Sequence, residues 1–160
     1  MARHAVQPRS EATWGVPTSL EGHTEGFRRW TAVDESAGAV HTGFGIAEFD
    51  PGGRLDWHVH SYEESLYVIE GEITLFTSES AVLLRTGDYG LLPVGQAHAL
   101  ANNVSDIARV AALSAPQPLI ADVAEHAFDA AFRDPRFPPM TRERAQGMVI
   151  DISVLSPTRP

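Results

Sequence analysis

The stretch that decides the fold is residues 52–64, which read GGRLDWHVHSYEE. Side chains alternate between the two faces of an extended strand, so His58 and His60 fall on one face and both imidazoles can reach one point. Glu64 follows after a short turn, and a second stretch, residues 87–102, supplies His98 as a fourth candidate ligand. Imidazole nitrogens with a carboxylate suit a divalent first-row transition metal better than calcium or magnesium, which prefer oxygen ligands. The sequence therefore predicts a transition-metal site.

The two stretches resemble the two sequence motifs of the cupin family. This chain matches every fixed position of both motifs. The first motif reads G-x5-H-x-H-x3-E-x6-G and is matched by Gly52, His58, His60, Glu64 and Gly71. The second reads G-x5-P-x-G-x2-H-x3-N and is matched by Gly87, Pro93, Gly95, His98 and Asn102. The motifs cover residues 52–102, and their short linker is similar to those of compact microbial cupins. The resemblance implies an all-β jelly-roll β-barrel in which His58, His60, Glu64 and His98 bind one metal ion.

Composition narrows the range of functions. The chain has 160 residues and a net charge of −9, which argues against nucleic acid and anionic membranes as partners. It contains no cysteine, which excludes disulfides and thiolate catalysis. No apolar run approaches the roughly twenty residues of a membrane span, and the N-terminus lacks the apolar run of a signal peptide. We therefore expect a cytoplasmic protein with a single folded core.

Turn-forming glycines and prolines, together with the spacing of apolar residues, divide the rest of the chain into segments. We predict an N-terminal arm that packs on the barrel over residues 1–35, the barrel over 36–116, and a C-terminal helix and strand over 117–160. Strands are predicted at residues 40–49, 65–69, 73–76, 82–84, 89–92 and 104–113, with short candidate strands near Trp14 and over residues 27–33. Turns are predicted at residues 50–53 and 70–71. Apolar residues recur at helical spacing over residues 120–132, and residues 147–155 alternate like a half-buried edge strand. That last strand would extend a sheet of its own chain or of a partner, and a homodimer is expected.

Residues beside the ligands are candidates for chemistry. Tyr62 is a candidate general acid, and the resemblance to cupin dioxygenases suggests Glu64 as a base if it leaves the metal. Unbroken alternation would put Asp56 on the face of the histidines and Leu55, Trp57 and Val59 on the other. Asp56 would then orient a ligand or face the substrate; the alternative is a solvated carboxylate at the barrel mouth.

An apolar pocket is predicted around the ligands. Leu66, Val68 and Leu100 share the strand parity of the ligands and would line it, and Gln96 could face the same cavity. Arg54 is the candidate for steering a substrate carboxylate, with simple surface solvation as the alternative. The segment 28–30 (Arg-Arg-Trp) is interpreted as a strand edge. Such a pocket suits an aromatic, diketone or polyketide-like small molecule.

The ligand set favours an open metal site. We favour Fe(II) or Mn(II); either of these ions, or Ni(II), would keep two free positions in an octahedral shell. In tetrahedral zinc the four ligands would occupy every coordination position unless Glu64 dissociates or the coordination expands. We therefore expect a metal-dependent enzyme, with a non-haem dioxygenase first and a non-redox cyclase, isomerase or lyase second. The remaining hypothesis is a non-catalytic cupin that binds a ligand.

Overall fold

The chain folds as nine β-strands in the part that its computed structural model describes, which comprises residues 5–60, 62–115 and, by backbone alone, 149–151. The strands are β1 (Thr24–Val33), β2 (Gly43–His58), β3 (Glu63–Glu70), β4 (Glu72–Thr77), β5 (Ala81–Arg85), β6 (Tyr89–Leu92), β7 (His98–Ala101), β8 (Ala108–Ala115) and β9 (Val149–Asp151). Three short 3₁₀ helices lie outside the strands, at Arg9–Glu11, Thr18–Leu20 and Glu35–Ala37.

The strands form one strongly curved sheet in the order β6-β3-β8-β2-β7-β4-β5-β9, with β1 also paired to β2. Every pairing except β5 with β9 is antiparallel. The first half of β2 pairs with β8 and its second half pairs with β7, so this strand passes from one wall of the barrel to the other. The predicted all-β jelly-roll barrel is confirmed.

The passage between the walls occurs at residues 50–53, where the predicted turn is instead a bend inside β2. Gly52 has a φ of 78°, in the left-handed region that glycine adopts without a steric penalty. The fully buried Asn102 side chain donates to the carbonyl oxygens of Phe49 and Asp50, each at 3.1 Å, and to that of Asp106 at 2.7 Å. One side chain of the second motif thus fixes the bend that leads into the first.

Inward-facing apolar side chains from both walls pack together inside the barrel. Alternation along the strands supplies them, and the buried cluster contains Phe27, Ala47, Phe49, Leu55, Leu66, Val68, Ile73, Leu75, Leu84, Leu92, Leu100, Ala108, Val110 and Ala112. A second cluster, which includes Trp57, Phe76 and Ala99, packs separately. The predicted turn at Gly71 is confirmed, with a φ of 77° between β3 and β4.

Several predicted boundaries differ from those observed. The strand predicted over residues 104–113 is β8, Ala108–Ala115, because Asn102 and its neighbours form the preceding loop. β1, Thr24–Val33, is longer than the strand predicted over residues 27–33 and pairs along β2, and β9 extends the chain's own sheet beside β5. The predicted helix over residues 120–132 lies outside the described residues, and the domain division and the homodimer stay predictions.

No helix in the described ranges is long and apolar enough to cross a membrane.

Candidate metal centre

Four buried side chains converge at the junction of β2, β3 and β7. His58 ends β2 and is the register partner of His98, the first residue of β7, so their ring centroids lie only 4.1 Å apart. His60 follows β2, where its carbonyl oxygen accepts a hydrogen bond from the Gly95 amide at 3.0 Å, and Glu64 lies in β3. One ligand atom from each of the four lies within 4.8 Å of the others. The structure thus brings together all four predicted ligands.

Each histidine is oriented by a main-chain carbonyl two residues away. The Nδ1 atoms of His58, His60 and His98 lie 2.9, 3.1 and 2.9 Å from the carbonyl oxygens of Asp56, Tyr62 and Gln96, respectively. A carbonyl oxygen can only accept a hydrogen bond, so each Nδ1 carries the proton and donates it. In the neutral ring this leaves a lone pair on Nε2, the atom that can bind a metal.

The electrostatics of the cluster favour neutral imidazole beside an ionised carboxylate. Burial and then the neighbouring His98 lower the pKa of His58 to about 3, so this ring is neutral at physiological pH. Burial alone would raise the pKa of Glu64, but hydrogen bonds and positive charge from His60 and His98, when those rings carry a proton on Nε2, outweigh it and hold that pKa well below its usual range. A metal cation bound to the same Nε2 atoms would supply positive charge in the place of those protons. The cluster therefore combines lone-pair nitrogens with one negative charge.

These donors fit a divalent transition metal. Glu64 Oε2 lies 3.3 Å from the Nε2 atoms of both His60 and His98. The Nε2 atom of His98 is buried and makes no hydrogen bond of good geometry within the described part of the chain. When Nδ1 carries the proton, the lone pair of Nε2 points at the Glu64 carboxylate in both contacts, which is repulsive. A cation bound between the nitrogen and the carboxylate would turn this repulsion into attraction. The geometry supports the cluster as a metal site and leaves the identity of the metal open.

Tyr62 lies directly beside the cluster. Its ring stacks on His60 with centroids 4.1 Å apart and an interplanar angle of 7°. Burial and the negative charge of Glu64 raise its pKa to about 12, although the positive charge of Arg29 acts in the opposite direction. The phenol therefore keeps its proton at neutral pH, which is the state that a general acid or hydrogen-bond donor needs.

The predicted alternation around Asp56 is interrupted. The β2–β7 register shifts between Leu55 and His58, and Leu55 joins the inner cluster while Trp57 joins the second one. The prediction that Leu55 shares a face with Trp57 is therefore wrong, because an irregularity in the pairing breaks the period of two. Asp56 is partly exposed, and its carboxylate lies 3.2 Å from Arg54 Nε.

The other predicted pocket residues occupy two kinds of position. Leu66, Val68 and Leu100 are buried in the inner cluster. Arg54 also forms an ion pair with Glu25, and its side chain is 39% exposed. Gln96 donates through its side chain to the Ala97 carbonyl oxygen at 3.1 Å. Their roles in binding a substrate stay predictions.

One inward-facing charged residue was not predicted from the sequence. Arg29 belongs to the segment interpreted as a strand edge, but its guanidinium lies over Gly45 on the inner face of β2. The signal that could have found it is the alternation of β1, in which Phe27 is an inner-cluster residue and Arg29 has the same parity.

Comparisons with known proteins match different parts of the chain. A family model described as a cupin domain matches residues 45–114, and a second model, AMMECR1, matches residues 110–160. The chain is 48% identical over 40 residues to Protein MJ0810 of Methanocaldococcus jannaschii, a match that spans 25% of this chain and 20% of that protein. The chain thus covers about a fifth of the length of that curated relative.

Solved structures share the fold at low sequence identity. The polyketide cyclase RemF from Streptomyces resistomycificus superposes with a TM-score of 0.68 and 15% identity, over 94% of this chain and 100% of that one. A predicted oxalate decarboxylase from Thermotoga maritima gives a TM-score of 0.61 at 20% identity, over 70% and 99% of the two chains. KdgF from Halomonas gives 0.58 at 20% identity, over 69% and 94%. At such identities the likeness is one of fold.

Proposed function

Residues 45–114 of this chain form a cupin domain, and from that premise we propose that the protein is a metal-dependent enzyme acting on a small organic molecule, in the first place a non-haem dioxygenase. The observation that carries this proposal is the buried cluster of His58, His60, Glu64 and His98, in which one ligand atom of each residue lies within 4.8 Å of the others. The substrate class that fits the apolar interior is an aromatic, diketone or polyketide-like compound.

His58, His60, Glu64 and His98 would hold the metal. A divalent iron or manganese ion there supplies Lewis acidity and access to redox chemistry with O2. The carbonyl acceptors behind the histidines fix the orientation of the rings, and outer contacts of this kind are typically worth 10- to 100-fold in metal affinity or activity. The chain thereby supplies a site with its donors already aligned.

One group beside the ligands, Tyr62, and one of the ligands, Glu64, would handle protons. Tyr62 retains its phenolic proton and would donate it, or a hydrogen bond, to a substrate oxygen. Glu64 stays ionised and would accept a proton from an acidic substrate carbon or hydroxyl if it is released from the metal. Apolar side chains such as Leu66 and Leu100 would exclude water around the reacting groups.

A non-redox cyclase, isomerase or lyase is the second candidate. The observation that favours it is the proximity of a protonated phenol to an ionised carboxylate, because this pair allows proton transfer without any oxidant. The extensive overlap with the structure of a polyketide cyclase is compatible with it. A cupin that binds a ligand without turnover is the third hypothesis.

Elemental analysis of protein purified without added metal, combined with oxygen uptake, tests the proposal. We expect iron or manganese, with uptake that depends on one member of a panel of diketones, phenols and flavonols. His98→Ala should lose both the metal and the uptake. Zinc with substrate turnover but no oxygen uptake would replace the first candidate by the second, and no turnover with any metal would favour ligand binding alone.

A further inference from the structure

The inner wall of the barrel beside Glu64 contains two glycines in successive inward positions. Glu64 is the register partner of Ser114, and Ser114 is the partner of Gly43, so the three form one row across β3, β8 and β2. In the next row Leu66 and Ala112 are followed by Gly45. The side of the wall farthest from Glu64 is therefore left without side chains of its own.

Arg29 occupies the space that Gly45 leaves. A Cβ atom at position 45 would lie 2.6 Å from Arg29 Nε, which places the guanidinium group against this glycine on the inner face. Strands are spaced about 4.8 Å apart, so two strand spacings separate Gly45 from β3, roughly 10 Å. That span is about the length of a small aromatic molecule.

The Arg29 side chain has no carboxylate partner in the described ranges, and its Nε atom is buried without a hydrogen bond. The neighbouring Arg28 differs completely, because its guanidinium forms an ion pair with the buried Glu48. Arg54, the arginine predicted to meet a substrate, is already paired with Glu25 and Asp56. A buried guanidinium donor without a partner costs free energy unless a ligand supplies the acceptor.

The surrounding charges also favour an anion. The metal ligands contribute one negative charge, a bound divalent ion would more than neutralise it, and Arg29 adds a positive charge on the side of Tyr62. Arginine presents a planar set of donors that matches a carboxylate in two-point contact.

We propose that Arg29 is the substrate-binding residue that receives a carboxylate group of the substrate, while the other end of the molecule faces the metal cluster. This inference rests on the proposed function and gives its substrate a class: an aromatic or diketone-like carboxylic acid. Arg29 takes the role that the sequence had suggested for Arg54.

The test is binding of two matched probes, 4-hydroxybenzoate and the neutral 4-hydroxybenzamide, measured by calorimetry on manganese-loaded and metal-free chain. We expect wild-type protein to prefer the acid by about 10- to 100-fold, the factor that a charge-assisted hydrogen bond supplies. Arg29→Met should bring the preference close to one, and Arg29→Lys should restore part of it. Arg28→Met removes the same charge from the other face of β1 and should leave the preference intact.

Thermal unfolding of the same variants separates binding from structure. Arg29→Met should not lower the melting temperature, because it removes a partly buried guanidinium whose Nε atom has no hydrogen-bond partner, whereas Arg28→Met breaks an ion pair and should lower it. Failure of the wild type to prefer the acid, or an unchanged preference in Arg29→Met, would overturn the proposal. An Arg29-dependent preference in a chain that binds no metal would sustain this inference while rejecting the proposed metal-dependent function.

Discussion

Removal of one ligand should abolish the stabilisation of this protein by metal. His98 is the informative position, because its side chain is completely buried and its Nε2 atom faces the Glu64 carboxylate at 3.3 Å. Four-donor zinc sites bind with about 10–16 kcal/mol of apparent free energy, so each donor accounts for roughly 3–4 kcal/mol. His98→Ala should therefore weaken zinc binding by a factor of several hundred, at about 1.4 kcal/mol per factor of ten.

The assay is thermal unfolding of chelator-stripped protein in buffered zinc, a redox-silent probe of the same donors. At a free zinc concentration about 100 times the wild-type dissociation constant, binding stabilises the folded chain by roughly 2.7 kcal/mol. For a domain of this size about 1 kcal/mol corresponds to roughly 2–4 °C, so the melting temperature should rise by about 5–11 °C. His98→Ala should show a rise of less than about 1 °C under the same conditions.

The matched control is His41→Ala, which removes an exposed histidine outside the cluster. It should keep the full zinc-dependent rise. The readout is the difference between the zinc-bound and zinc-free protein, so any loss of packing caused by His98→Ala itself cancels. A rise of several degrees that persists in His98→Ala, or that disappears in His41→Ala, would refute the assignment of His98 as a ligand.

Three further predictions concern the scaffold. Glu48→Gln should destabilise the fold by about 1.5–3 kcal/mol at neutral pH by chemical denaturation, because buried Glu48 loses charged hydrogen bonds with Arg109 at 2.7 Å and with Arg28. Burial raises the pKa of Glu48, but the two arginines lower it below its ordinary value of 4.5. The wild type should therefore be more stable than Glu48→Gln above about pH 4.5, and this difference in unfolding free energy should vanish as the pH falls further; a difference that grows in acid would contradict this. Asn102→Ala should cost about 2–4 kcal/mol in the same assay, since three carbonyl oxygens lose their donor; a loss below 1 kcal/mol would show that water replaces the side chain. Gly53→Ala should abolish folding or nearly so, as judged by circular dichroism, because its Cβ would lie 2.4 Å from the Gly26 carbonyl oxygen, whereas Gly52→Ala has free space and should cost only about 1–2 kcal/mol of left-handed strain; equal effects of the two would contradict the packing argument.

The spacing of the ligands could be predicted from the sequence because it depends on local geometry. His58 and His60 are separated by one residue, and the chain around Gly71 turns as its composition indicates. Gly95 adopts a φ of 75° in the turn before His98, and this left-handed conformation explains why the second motif has a glycine at that position. The barrel follows from the same pattern of short alternating strands and turn residues.

The surroundings of the cluster could not be predicted in the same way. The register shift between Leu55 and His58 arises from pairing with β7, a contact that the local sequence does not specify. The inward position of Arg29 depends on the absence of a side chain at Gly45, which becomes its neighbour only through the pairing of β1 with β2. Long-range register decides both, and a single sequence carries little information about it.

The ligand histidines and Arg29 differ in which part of the chain fixes the position of the side chain. Every ligand histidine is oriented by a carbonyl oxygen two residues away in its own segment, at 2.9, 3.1 and 2.9 Å, so a short stretch of chain carries both the ligand and the group that fixes its tautomer. The proposed carboxylate-binding residue, Arg29, is held instead by strands distant in sequence. Substitutions on those strands could therefore change the substrate while leaving the metal site intact. The orientation of each ligand histidine is encoded locally, whereas the proposed substrate preference would depend on the register of the barrel.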